Sequence, residues 1–163
     1  PNLGNGDELA INVNSGSFAR ATLTWDGDAN LSNFGGFAAQ DFSQLAALAF
    51  SVSSDGGLSG AKLVRVTLKD INGLLSNFTF PAENTAGQGP DDYAPVALLF
   101  AGFTNPVGFD YTQIVGVQAV VNLDASTKSL DFALRQINVV PEPASIALAG
   151  LALLGIGAAR RRK

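Results

Sequence analysis

The sequence contains no cysteine, no histidine and no methionine among its 163 residues. The lack of cysteine excludes a disulfide framework and thiolate metal sites. The lack of histidine excludes the commonest general base, the Ser-His-Asp arrangement and every imidazole metal ligand. Carboxylate, tyrosine and lysine chemistry stay open, but we expect a protein that is not an enzyme.

The missing methionine also bears on where the chain begins. A translated protein starts at methionine, whereas this sequence opens at Pro1. We therefore expect residues to be missing at the front. A removed secretory signal peptide and a simple truncation both explain this, and the sequence does not separate them.

Positive charge is scarce except at the very end of the chain. Four of the ten Lys and Arg residues close the sequence as Arg160, Arg161, Arg162 and Lys163. The body, 1–140, holds six cations against 13 carboxylates, which is a net charge of −7. Phosphate contacts need clustered Lys or Arg, so this acidic body is not expected to bind nucleic acid.

The C-terminal segment, 141–163, has three parts in a fixed order. Pro141, Glu142 and Pro143 form a stiff, non-helical entry, because proline restricts its own φ and the residue before it. Residues 144–159 carry no charge. As a helix they would span about 24 Å, against a hydrocarbon core of roughly 30 Å. The terminal cations would lie in the cytoplasm and the body outside. A buried helix of a soluble domain is the alternative, but it needs no cationic end.

This order of parts resembles the PEP-CTERM sorting signal of Gram-negative bacteria, over residues 141–163 only. The resemblance implies that exosortase, a membrane-embedded protease-transferase, recognises Pro141, Glu142 and Pro143 and cleaves nearby. It further implies a precursor tethered in the inner membrane by residues 144–159. The body would then be released or passed to the cell surface, often in bacteria that make extracellular polysaccharide.

The rest of the chain has the pattern of an all-β domain. Glycine is abundant, with 18 residues, and several short segments alternate apolar and polar positions. In Phe18–Trp25, for example, Ala21, Leu23 and Trp25 share one face. We expect about eight strands and no helix before Pro141. The prediction is an exported two-sheet antiparallel β-sandwich over 1–140, jelly-roll-like, followed by a C-terminal apolar transmembrane helix. The body loosely resembles carbohydrate-binding-like jelly-roll domains.

One local pattern occurs twice along the chain. Asp41-Phe-Ser-Gln-Leu matches Asp110-Tyr-Thr-Gln-Ile in residue type. Residues 41–52 alone fit a helix or a strand, but the second copy continues into β-branched residues that favour a strand. We therefore expect two equivalent strands, each opened by a turn in which the Asp side chain bonds nearby backbone. Chance similarity is the alternative.

A calcium site is a second hypothesis. Asp26, Asp28 and Asn30 have the D-x-D-x-N spacing that opens a calcium loop. Leu31 stands where that loop needs glycine, and Phe37 where it needs the bidentate glutamate. The sequence therefore favours a hairpin turn, for which Asp-Gly is a common pair.

The longest polar loop, 81–95, is the candidate ligand-binding segment because binding residues often lie on loops. It contains Asp91, Asp92 and Tyr93. Trp25, Tyr93 and Tyr111 are the amphipathic rings that could stack on a sugar. Trp25 is expected in the core, and Tyr93, in the long acidic loop, is the better candidate. Asp91 and Asp92 are adjacent and would point apart, which disfavours glycosidase-like paired carboxylates.

These observations favour an exported, non-enzymatic surface or extracellular-matrix protein, associated with biofilm or polysaccharide and sorted through its C-terminal signal. Two alternatives are a carbohydrate-binding module and a subunit that self-assembles into filaments through exposed strand edges. Calcium is the one cofactor that the sequence leaves open.

Overall fold

The computed structural model describes residues 8–12, 17, 20–26, 34–54, 63–81, 87–88, 94–123 and 131–141. Within these ranges the regular structure consists of nine β-strands and two 3-10 helices. The strands are β1 (Glu8–Asn12), β2 (Ala21–Trp25), β3 (Leu45–Ser54), β4 (Leu63–Asp70), β5 (Leu75–Pro81), β6 (Gly87–Gln88), β7 (Ala94–Leu99), β8 (Ile114–Val121) and β9 (Asp131–Pro141). The 3-10 helices are Phe100–Gly102 and Tyr111–Gln113.

The strands form two sheets. The first has the order β1-β9-β3, and both β7 and the two-residue β6 pair with the other edge of β3. The second has the order β2-β8-β4-β5. Every pairing among the described strands is antiparallel except that of β6 with β3. The predicted two-sheet antiparallel architecture is therefore confirmed, with one short parallel pairing added.

The core lies between the two sheets and follows the expected alternation of side chains. In β4, Val64, Val66 and Leu68 are buried, as the period-two pattern predicts. In β2, residues 21, 23 and 25 pack against the same core. Residues 45–54, which fit helix or strand in isolation, form a strand because β9 and β7 pair with both of its edges.

The position of β7 corrects one expectation. The continuous apolar run 96–100 is typical of a central strand of a sandwich. Among the described strands, β7 pairs with β3 alone, and its side chains alternate between the core and the solvent. Leu98 is 2% exposed and Leu99 is 58% exposed. An apolar run does not reveal which side of a strand lacks a cover, so the pattern was misleading here.

The predicted C-terminal helix, residues 144–159, lies outside the described residues. In the described part of the chain, no helix has the length and apolar character required to cross a membrane.

The adjacent leucines of β7 provide a matched test of the core. Leu98→Ala is expected to lower the free energy of unfolding by about 2–5 kcal/mol, because it leaves a cavity between the sheets. Leu99→Ala is the control and is expected to cost about 0.5 kcal/mol, as surface substitutions do. Chemical denaturation of the full chain in mild detergent measures both. Equal losses would contradict the assigned faces of β7.

Candidate functional site

The sorting triplet begins inside the first sheet. Pro141 is the last residue of β9, and its backbone lies opposite Leu45, the first residue of β3. The strand thus runs one residue beyond the predicted domain boundary at 140. Glu142 and Pro143 lie outside the described residues, as do the basic residues Arg160, Arg161, Arg162 and Lys163. We call the end of the sandwich at which β9 leaves the sheet the exit end.

Two irregularities set the register of β9 against β3. Ala46 of β3 is passed over between the pairs that Leu45 and Ala47 make with β9. Gln136 of β9 is likewise passed over between Ile137 and Arg135. Extra residues of this kind bend a strand and increase its local twist. The direction in which Pro141 leaves the sheet therefore depends on these bulges.

The repeated sequence pattern forms the same turn at two places on the exit end. Asp41 accepts a hydrogen bond from the backbone N–H of Ser43 at 2.8 Å. Asp110 accepts one from the backbone N–H of Thr112 at 2.9 Å and one from the Thr112 hydroxyl at 2.7 Å. These turns open β3 and β8, and each of these strands is paired on both edges within its own sheet. The predicted equivalence of the two strands is confirmed.

The exposed Asp41 carboxyl has a perturbed pKa. Hydrogen bonding from the Ser43 hydroxyl, and then from the Ser43 backbone N–H, lowers the pKa of Asp41 below its usual value. Both bonds favour the ionised carboxylate. Asp41 therefore acts as a charged turn residue, in keeping with the sequence-based preference for capping over catalysis.

Backbone hydrogen bonds join the two turns across the sheets. The N–H of Gln40 donates to the carbonyl of Ile114 at 2.8 Å, and the N–H of Ile114 donates back at 3.0 Å. The N–H of Phe42 donates to the carbonyl of Tyr111, also at 2.8 Å. The exit end thus has its own short pairing, which ties the first sheet to the second.

Asp70 adds a third connection. This fully buried carboxyl accepts from the backbone N–H of Leu74 at 2.8 Å, which closes the turn between β4 and β5. Its other oxygen accepts from the backbone N–H of Asp110 at 3.1 Å. One side chain therefore satisfies donors from two separate turns.

Tyr111 is half-buried and belongs to an aromatic cluster at this end. Its ring packs edge-on against Phe100 at 5.5 Å and against Phe109 at 4.9 Å between centroids. Its hydroxyl lies 3.0 Å from the Asn105 side-chain oxygen and 3.3 Å from the Phe100 carbonyl. Trp25 packs against the core, as predicted.

The other predicted site residues are not brought together in the described part of the chain. Asp26 is buried at the end of β2, while Asp28 and Asn30 lie outside the described residues. Asp91, Asp92 and Tyr93 lie outside them too. No group of three or more acidic side chains capable of holding a metal occurs within the described ranges. The calcium site and the loop site stay predictions.

A row of polar side chains on the outer face of the second sheet has no counterpart in the sequence analysis. Cross-strand pairing places Thr24, Gln118, Thr67 and Asn77 side by side, one from each of the four strands. Gln118 donates to Thr24 at 3.2 Å, and Thr67 donates to Asn77 at 2.8 Å. Only the register of the strands brings these residues together, so no local sequence motif predicts the row.

The next row along this face contains a cation. Arg65 of β4 lies between Val120 and Thr79 of the neighbouring strands. Its Nε is buried and has no hydrogen-bond partner among the described residues. A buried donor without an acceptor costs about 1–3 kcal/mol. The second sheet therefore has a buried cationic donor in the row next to the polar row.

The C-terminal motif is matched by a known family. Residues 139–163 match the PEP-CTERM protein-sorting motif. The match includes the end of β9, the triplet, the apolar run and the basic terminus. Exosortase, an inner-membrane protein, processes chains that carry this motif. No curated protein sequence matches the chain.

Three solved structures are similar in fold. One is the solution structure of CtCBM11, at 13% identity over 86% of this chain and 92% of that chain, with a TM-score of 0.45. Another is a family 11 carbohydrate-binding module from Clostridium thermocellum in complex with a β-1,3-1,4-mixed-linked tetrasaccharide, at 13% identity, 85% and 91% coverage and a TM-score of 0.45. The third is PfGH50B, at 15% identity over 84% of this chain and 22% of that chain, with the same TM-score. Likeness at this level carries no argument about a ligand.

The buried carboxyl at the exit end yields a stability prediction. Asp70→Ala is expected to lower the free energy of unfolding by about 1–3 kcal/mol for each of the two backbone donors that lose their acceptor. Asn72→Ala, an exposed change in the same turn, is the control and is expected to cost about 0.5 kcal/mol or less. If the denaturation curves of the two variants coincide, Asp70 does not bridge the two turns.

Proposed function

We propose that this protein is a non-enzymatic exported protein that reaches the cell surface or extracellular matrix through a cleavable C-terminal signal. The match of residues 139–163 to the PEP-CTERM sorting motif is the observation that carries the proposal. An acidic body without histidine or cysteine is consistent with a structural or binding role and not with common enzyme chemistry.

In the proposed precursor, residues 144–159 lie in the inner membrane, and Arg160–Lys163 hold the end of the chain in the cytoplasm. The sandwich is outside. Exosortase cleaves at or near the triplet, whose first residue pairs with Leu45 at the end of the sheet. Glu142 and Pro143 follow the last paired residue, so the protease would meet them next to a folded domain.

Cleavage would leave the sandwich complete. The buried core draws its side chains from β3, β4, β5, β7, β8 and β9, all of which precede residue 142. With no disulfide available, burial between the sheets supplies the stability of the released body. Its destination in a biofilm or polysaccharide matrix is part of this proposal.

The triplet provides the test. In the native host, Glu142→Ala is expected to leave the full-length chain in the membrane fraction, because exosortase recognition is lost. The matched control is Glu83→Ala, which changes the same residue type outside the motif. Mass spectrometry of the surface and membrane fractions identifies the C-terminal residue in each.

Unchanged protein should appear at the surface without Arg160–Lys163. Surface material that still carries these four residues would contradict cleavage. Normal release of the Glu142→Ala variant would contradict recognition through the triplet.

As a second candidate function, we propose that the outer face of the second sheet binds a saccharide. The polar row supports it: the partly exposed Thr24, Gln118 and Asn77 lie in line with the buried Thr67 over about 14 Å, at roughly 4.8 Å per strand spacing. The predicted loop residue Tyr93 is a separate candidate for sugar stacking.

An array of neutral and uronic-acid oligosaccharides tests this candidate. For any sugar bound, Gln118→Ala is expected to weaken affinity about fivefold, the effect of one net hydrogen bond near 1 kcal/mol. The control is Thr104→Ala, an exposed residue that pairs with β5 through its backbone. Binding that survives Gln118→Ala but fails with Tyr93→Ala would place the site in the loop. An array without binding would reject saccharide recognition.

A further inference from the structure

The large apolar side chains that the described part of the chain exposes are gathered at the exit end. We call this set the exit rim, and it consists of Ile71, Leu75, Leu99, Val107, Val139 and Val140. Single exposed apolar residues need no explanation, but six large ones at the end from which an uncharged tail leaves do.

The strand directions place the six residues at the same end of the sandwich. The strands β3, β5 and β8 begin at the exit end, whereas β4, β7 and β9 finish there. Leu75 opens β5 and Leu99 closes β7. Ile71 lies in the turn after β4, and its N–H donates to the carbonyl of Gln113 just before β8. Val107 is in the loop that leads to the Asp110 turn.

Part of the exit rim forms a continuous apolar row on the first sheet. Leu99 and Val140 are the two cross-strand neighbours of Ala47, one on each side. Leu98 points into the core, so its neighbour Leu99 faces outward, whereas Ala47 is only 2% exposed. Leu99 on β7 and Val140 on β9 therefore expose apolar surface on either side of a covered alanine.

The length of the connection fixes how far this end can lie from a membrane. Two residues, Glu142 and Pro143, lie between Pro141, the last residue of β9, and Ala144, the first of the uncharged run. A fully extended chain covers at most about 10 Å over the three residue steps from Pro141 to Ala144. The headgroup region on each side of a bilayer is about 5–8 Å thick. Once residues 144–159 enter the hydrocarbon, the exit end must lie at the lipid surface.

We propose that the exit rim rests on the outer surface of the membrane in the precursor and orients the sandwich over its own sorting signal. This inference rests on the proposed function, because it requires the tail to be inserted. Apolar side chains gain by entering the boundary between headgroups and acyl chains. The exposed carboxylate of Asp41 lies at the same end, so the contact is at headgroup level and not in the hydrocarbon.

The contact has a consequence for sorting. An oriented sandwich holds the triplet at the membrane surface, where a membrane-embedded protease can reach it. Cleavage removes the apolar tail and with it the covalent link that keeps the rim on lipid. The rim therefore orients the sandwich only in the precursor, and the released body leaves the membrane.

The absence of cysteine makes a direct experiment simple. Val107→Cys places a single thiol at a fully exposed position of the rim, where an environment-sensitive fluorophore can be attached. Thr79→Cys is the matched control, because Thr79 is exposed on β5 toward the opposite end. The full chain is reconstituted into phosphatidylethanolamine–phosphatidylglycerol vesicles that contain a lipid with a nitroxide on its headgroup. Flotation with the vesicles reports tail insertion independently.

We expect the label at residue 107 to be quenched strongly and the label at residue 79 to be quenched little. Adding Ile71→Ser and Leu99→Ser to the Val107→Cys chain is expected to remove most of the quenching while flotation is unchanged. Circular dichroism of this variant checks that it is folded. Should it unfold, the comparison of residues 107 and 79 in the unmodified rim still decides.

The contrary outcomes are distinct. If the chain floats but both labels are quenched equally, the membrane contact of the rim is wrong and the sorting proposal stands. If the chain does not float, tail insertion is wrong and both proposals fall. A nitroxide can also be attached at residue 107 to measure distances between copies of the chain. If these nitroxides lie close together and the lipid does not quench the fluorophore, the rim mediates self-association and the inference is overturned.

Discussion

The first sheet depends on the pairing of β9 with β3, because this pairing joins the last of the described strands to the middle of the sheet. β9 lies between β1 and β3, so the last of the described strands is internal in the sheet. The sheet therefore cannot close until residues 131–141 are available, and its pairings are distant in sequence. The same strand leads directly into the sorting motif. The pairing that completes the first sheet therefore also positions the start of the sorting motif.

Hydrogen bonds within and between the turns hold the exit end in a defined geometry. The turns at Asp41 and Asp110 satisfy their own backbone, and the bridge between Gln40 and Ile114 links the sheets. Asp70 joins two further turns from a fully buried position. Because only two residues lie between this hydrogen-bonded end and the uncharged run, the sandwich would have little freedom relative to an inserted tail. The exposed apolar side chains at that end would then lie close to lipid, whereas apolar residues scattered over the surface would not.

Local patterns explain which features the sequence could predict. Alternation identified the inward residues of β4, because side chains in a strand point to opposite faces. The repeated Asp turns were predictable from local sequence too, since donor and acceptor are two residues apart. The edge position of β7 was missed, because an apolar run does not specify its neighbours. The polar row from Thr24 to Asn77 was also missed, because it exists only through the register of four strands.

The amino-acid sequence by itself determined the sorting signal, the excluded chemistries and the all-β class. Each of these depends on residue type and short spacing, which survive without a fold. Only the tertiary structure decided that the triplet begins at a paired residue and that six exposed aliphatic side chains share one end. It alone decided which polar groups align across the second sheet. These features arise from contacts between residues far apart in the chain, and no single stretch of sequence contains them.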